Sequence, residues 1–285
     1  MKLDANRLLD ALSLVHEGRV FDLSSGWWPG MPVHDAHPRF EVLTYRSPRG
    51  ERNQRDLAFL EPAHESSGFG FVSEMVQCTT HSGTHIDALC HTVSGPRRSW
   101  HGDVAADEGL GDFGALSQDA TEIDPLIVPG VLLDVAAANG VEALPADHRI
   151  GVAELEAAAE RSGCEIEPGS VILVRTGQMS GWPSSERLAE LSGSGVGLEG
   201  ARWLAALEPV AVGSDTATFE CDVSEVADVP QPVHVLLLRE HGIHIVEWVS
   251  CEELSAAGVG SFLFVAIPLP IRGATGSMVR PLAIT

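Results

Sequence analysis

Residues 130–177, GVLLDVAAANGVEALPADHRIGVAELEAAAERSGCEIEPGSVILVRTG, decide the fold class. A short apolar run, GVLLDVA, leads through a polar connection to an amphipathic stretch, GVAELEAAAERSG, and then to a second apolar run, GSVILVRTG. Short apolar runs bounded by glycine read as strands buried on both faces, and apolar positions three and four apart read as a helix lying across them. The same alternation continues downstream: GLEGARWLAALE reads as helix, PVAVGSD as strand, QPVHVLLLREHG as short helix, IHIVEWV as strand, CEELSAAG as a helical turn and SFLFVAIPL as strand. Buried strands alternating with amphipathic helices imply an α/β sheet core.

Upstream, the signals are weaker. MKLDANRLLDALSLVHEGRV reads as a first amphipathic helix, because its acidic residues and leucine spacing do not suit a secretory leader. RVFDLSS begins a strand, and SGWWPGMPVHDAHPRF follows as a loop with two adjacent tryptophans, a candidate pocket wall. The charged, irregular composition from Ser47 to Ser67 suits an exposed excursion. GFGFVSEMVQCTT then predicts a strand that delivers His81 at its end, and residues 93–129 predict a long loop or short helices. With no repeat, no low-complexity linker and 44% apolar residues in 285, one domain over 1–285 is expected.

Several chemistries are excluded by charge and composition. A formal charge of −22 repels nucleic-acid phosphates and anionic lipids, so neither nucleic acid nor a membrane is an expected partner. The longest apolar run, FLFVAIPLP, is far shorter than the roughly 20 residues of a membrane helix. Five scattered cysteines form no C-x-x-C pair, which suits a reducing cytoplasm. The sole lysine is Lys2, which argues against Schiff-base, pyridoxal and phosphate-loop chemistry, and no G-x-S-x-G marks a serine nucleophile. GVGLEG at Gly195–Gly200 has the glycine spacing of a dinucleotide loop, but the residues before it look like a helix end and loop where that site needs a strand.

The chemistry concentrates in residues 80–91, THSGTHIDALCH, which hold three of the chain's twelve histidines. In an extended segment His85 and Asp87 point to the same side, and Gly83 permits a tight turn that folds His81 back onto them. Two neutral imidazoles and a carboxylate suit Zn²⁺, Mn²⁺ or Fe²⁺ and leave coordination positions open, as catalytic sites do. The competing reading is a chance cluster of surface histidines.

HSGTHIDALCH resembles the H-x-G-T-H-x-D-x-P-x-H signature of the cyclase family of metal-dependent hydrolases, which includes bacterial kynurenine formamidase and isatin hydrolase. Six of its seven fixed positions match, with Leu89 where the family has proline. Further resemblance lies in DLS near Asp22, GMP at Gly30, GVLLDVA, ILVRTG, GSDTATFE and HVLLLREHGIHIVE. The resemblance implies a swivelling β/β/α fold with a mixed sheet, assembled as a homodimer or homotetramer. It implies His81, His85 and Asp87 as metal ligands and His91 as the acid/base. His234 and Glu247 match the family's later His and Glu, which help to hold a second metal with the aspartate bridging, so one or two ions of Zn²⁺ or Mn²⁺ per subunit are expected.

The implied reaction is hydrolysis of an amide C–N bond by metal-activated water, in an aryl formamide such as N-formylkynurenine or a cyclic amide such as isatin. Lactone opening, ring closure, or a metal-binding protein without catalysis are the alternatives. Trp27, Trp28, His34 and Phe40 are candidates for a wall against a planar substrate, although paired tryptophans more often pack in a core than line a pocket. Arg175 and Asp215 each follow a predicted strand. Both suit structural salt bridges, and the Arg175 fork also suits a substrate carboxylate.

Overall fold

The stretch 130–177 contributes the strand Leu126–Asp134, the helix Val152–Ser162 and the strand Val171–Arg175. The computed structural model describes residues 5–54 and 68–285. Glu154 accepts the N–H of Gly151 at 3.1 Å to start the helix, and Leu155 and Ala158 form its buried stripe. Every residue of Val171–Arg175 is buried, as its apolar run requires.

Four consecutive strands of the sheet are parallel: Leu126–Asp134, Val171–Arg175, Ala211–Ser214 and His244–Glu247. Antiparallel strands extend both sides. Ser261–Ala266, Leu282–Ile284 and Val20–Asp22 add beside Leu126–Asp134, while His85–Asp87 and then Gly276–Met278 add beside His244–Glu247. The result is a nine-stranded mixed sheet, as expected for the α/β class.

Strand alternation divides the core between the two faces. Leu132, Leu173, Val246, Phe262 and Phe264 pack with Trp100 and Ile123 in one cluster. Val131, Leu133, Ile172, Val174 and Ile245 pack in the other, against Leu155, Leu204 and Leu237. The helix Leu198–Ala206 supplies Leu204, and Leu237 comes from a helical turn, Pro232–His234, that runs on as a π-helix, Val235–His241.

Some local expectations change. His81 lies four residues beyond the strand Ser73–Gln77, in a turn. That strand pairs with Glu41–Arg46 as a two-stranded ribbon outside the main sheet, leaving Tyr45 63% and Val76 56% exposed. Pro48–Gln54 is helical, whereas residues 55–67 of the expected excursion lie outside the described residues, as does Lys2. The strands Gly276–Met278 and Leu282–Ile284 were not expected, being three residues each and too short to show periodicity. In GVGLEG, Gly195–Val196 forms a short parallel pair with Arg149–Ile150 and Gly197 caps Leu198–Ala206. Among the described residues no helix is long and apolar enough to cross a membrane.

Candidate metal centre

The histidine turn is held by three side chains of its own motif and its surroundings. Gly83 has φ +58°, and a Cβ there would stand 2.8–2.9 Å from Ser25 Oγ, Met31 Cε and Trp27 Nε1, so glycine is required on both counts. The Thr84 hydroxyl donates to Trp248 O at 2.6 Å and accepts from Ser25 N, tying the turn to the residue after Glu247. Trp27 Nε1 donates to Ser82 O at 2.7 Å. The tryptophan pair therefore supports the turn through Trp27 rather than lining a pocket.

Adjacent strands bring the distant donors together. Glu247 pairs in register with His85 across the sheet. His85 Nε2 lies 3.2 Å from Glu247 Oε2 and 3.5 Å from Asp87 Oδ1, and His81 Nδ1 lies 2.8 Å from Asp87 Oδ1. His234 Nε2 lies 3.2 Å from Glu247 Oε1 and 3.8 Å from Asp87 Oδ2. Two donor triads result, His81/His85/Asp87 and Asp87/His234/Glu247, and both are wholly buried. The helix, the turn at Gly242 (φ +67°) and the returning strand carry His234 and Glu247 to one place.

Each imidazole has its other nitrogen anchored. His81 Nε2 pairs with Thr275 Oγ1 at 2.9 Å, His85 Nδ1 donates to Gly83 O at 2.7 Å, and His234 Nδ1 donates to Glu220 Oε1 at 2.5 Å. His244 Nδ1 donates to Asp87 O at 2.7 Å. Such outer partners fix the tautomer that turns a lone pair inward. Meanwhile His81 Nδ1, both Asp87 oxygens and Glu247 Oε1 are buried without hydrogen-bond partners. Donors bound to one small divalent ion stand about 3.3 Å apart, so the spacings and orphaned atoms fit a cation.

The electrostatics agree. Burial alone would raise the Asp87 pKa, but the imidazoles of His91, His81 and His85 outweigh it and hold the carboxyl well below its usual range. Burial opposes protonation of His234, yet its hydrogen bond to Glu220 and the nearby Glu247 carboxylate raise it to about 10, and the Glu247 carboxylate also raises His85. The carboxylates thus draw positive charge into the centre, as protons or as a cation. His91 stands apart: burial pushes it down to about 4.

A cavity of about 430 Å³ opens over these donors. His91 lines it, with its ring centroid 4.1 Å from that of His81. His34 also lines it, and so does His37, which stacks on His81 at 5.5 Å and 10°. Besides Trp27, three expected wall or substrate residues do not. Trp28 packs edge-on against Trp182 at 5.5 Å, and Phe40 is buried at 6% exposure outside the cavity lining. Arg175 is buried outside the cavity lining and turns its fork inward onto Glu252 (2.7 and 3.0 Å), Asp134 (3.0 Å) and Glu142 O (3.1 Å), a structural role in place of a substrate contact. Asp215 accepts from Thr176 N, Thr176 Oγ1 and Gly177 N, a structural role.

The cyclase family model matches residues 21–221. The chain belongs to the cyclase family. Among family relatives, it is 24% identical to the isatin hydrolase of Roseibium aggregatum over 281 residues, 97% of this chain and 95% of that one. A crystal structure of a novel cyclase superposes with a TM-score of 0.84 at 23% identity, covering 99% of this chain and 94% of the other. An isatin hydrolase bound to the product analogue thioisatinate superposes at 0.68 with 20% identity and 99% coverage of both chains. The cyclase-family sheet is thus shared along the whole chain.

Sequence reasoning passed over Glu220, His37, Thr275 and His244. Glu220 sits inside the matched GSDTATFE, but nothing in that stretch points to a histidine fourteen residues later. The other three become legible only through the fold.

Proposed function

We propose that this chain is a metal-dependent hydrolase of small amides, cleaving the C–N bond of an aryl formamide or a cyclic amide of the isatin type. The observation that carries this reading is the set of buried, partnerless donor atoms on His81, Asp87 and Glu247, converging from two distant parts of the chain beneath an open cavity. The similarity to an isatin hydrolase along 97% of the chain supports the reaction class. His81, His85 and Asp87 would hold one ion of Zn²⁺ or Mn²⁺, and Asp87, His234 and Glu247 a second that shares the aspartate. Such an ion lowers the pKa of a coordinated water toward roughly 7 and polarises a carbonyl.

The protein supplies the rest. His91 faces the cavity beside the donors without belonging to either triad, so its imidazole is free to take a proton from the attacking water. Oxygen then bonds to the carbonyl carbon, the C–N bond breaks, and His91 returns the proton to the departing nitrogen. The buried donors exclude bulk water from one side, which strengthens electrostatic stabilisation of the developing oxyanion. The apolar residues exposed on the 41–46 and 73–77 ribbon support the expectation of a homodimer or homotetramer.

The test is metal analysis with turnover. Purified protein loaded with Zn²⁺ or Mn²⁺ is expected to hydrolyse isatin, N-formylkynurenine or a related amide, and His81→Ala is expected to lose metal and activity together. Unchanged metal content in His81→Ala would overturn the ligand assignment. Turnover of lactones with none of amides would move the assignment to ester chemistry within the same family.

A further inference from the structure

Glu220 is 2% exposed and lies outside both donor triads, yet it accepts three hydrogen bonds. Its Oε2 takes the N–H of Val233 at 2.9 Å, and its Oε1 takes the N–H of His234 at 2.9 Å and the ring Nδ1–H of His234 at 2.5 Å. A carboxylate so placed fixes both the backbone from which His234 hangs and the tautomer of its ring. The glycine-rich stretch that resembles a dinucleotide loop finds its purpose here. Val196 bridges to Glu220, and a Cβ on Gly195 would stand 2.3 Å from the Glu220 carbonyl carbon.

We propose that Glu220, seated against Gly195 and Val196, is a positioning residue that holds His234 with Nδ1 protonated and Nε2 turned toward Asp87 and Glu247, and thereby sets the ion affinity of that half of the centre. The proposal rests on the metal-site reading above. Glu220 borders the cavity but belongs to neither donor triad, and the three hydrogen bonds it accepts all come from His234 and its neighbour Val233, so it is assigned to act through His234. A glutamine in its place would keep one acceptor oxygen but set an amide NH₂ against one of the donors that the carboxylate accepts.

The experiment is a double-mutant cycle read by Zn²⁺ affinity, measured with Zn²⁺ alone in competition with a chromophoric chelator. Glu220→Gln is expected to weaken Zn²⁺ binding by roughly 10- to 100-fold in the wild-type background and to have no further effect in a His234→Asn background. Gly195→Ala is expected to behave likewise. Equal losses in both backgrounds would make Glu220 a general structural residue and overturn the proposal. Wild-type protein that binds no Zn²⁺ overturns the metal-site reading as well, so the two failures are distinct. Should the variants not fold, the ring ¹⁵N shifts of His234 in Zn²⁺-loaded wild-type protein decide. A protonated Nδ1 with a metal-bound Nε2 supports the proposal, and the opposite tautomer sinks it.

Discussion

A single methyl group at Gly276 should disable the centre without touching a donor. Gly276 pairs with Asp87 across the sheet, and a Cβ built on it would stand 2.7 Å from His81 Cε1, 3.2 Å from His81 Nδ1 and 2.9 Å from Ile86 O. Carbon atoms in ordinary contact are about 3.5 Å apart, so the His81 ring must retreat by roughly 0.8 Å. The Ile86 carbonyl belongs to the neighbouring strand and yields less than the ring. Displacing a donor by nearly 1 Å costs about 100-fold in activity, with a parallel loss of metal affinity. Overpacking of this kind costs about 1–3 kcal/mol in stability, so Gly276→Ala should still fold. The assay is chelator competition, turnover and thermal melting side by side. Gly151→Ala, where the methyl would meet nothing within 4 Å, serves as the control. Full metal affinity and turnover within twofold of wild type in Gly276→Ala would refute the claim that close backbone approach holds His81 in place.

Two further outcomes concern stability. Arg175→Ala removes a cation 5% exposed and strands the carboxylates of Asp134 and Glu252, so a urea melt should show a loss of about 3 kcal/mol, only partly restored by lysine, while KM for charged and neutral substrates stays alike. Asp215 is fully buried, and burial raises its pKa from 3.8 to about 6 despite three hydrogen bonds. The folded protein therefore keeps that proton to higher pH than the unfolded chain. Its stabilising contribution is full below about pH 4 and is lost as pH rises through 6, a change on the order of 3 kcal/mol. Asp215→Asn, which cannot ionise, should lose this slope, and parallel stability profiles for the two proteins would contradict the assignment.

What the sequence made legible divides along physical lines. The strands near Leu132, Ile172 and Val212 and the helices between them could be read because burial on both faces leaves long apolar runs. The donor cluster could be read because His81, His85 and Asp87 are crowded into seven residues, where local geometry alone brings them together. His234 and Glu247 were placed by resemblance, and the strand pairing of Glu247 with His85 is the physical reason they converge. Thr275, Glu220 and His244 escaped because each is an ordinary residue whose importance arises only from the partner the fold sets beside it. Trp28 and Phe40 misled for the opposite reason. An aromatic side chain in a loop carries the same signature whether it faces a ligand or, like Trp28 on Trp182, another ring.

The bond between His81 and Thr275 spans 194 residues, and the strand Gly276–Met278 completes the wall behind that ring. A chain emerging from the ribosome therefore displays its histidine motif long before the segment that steadies it exists. Until then the imidazoles are loosely held chelators in an unfinished sheet, with the Cys90 thiol beside them in the same stretch, open to whichever transition ion is most abundant and most avid. Metal identity would then be decided once the strand Gly276–Met278 docks and the cavity takes its final shape.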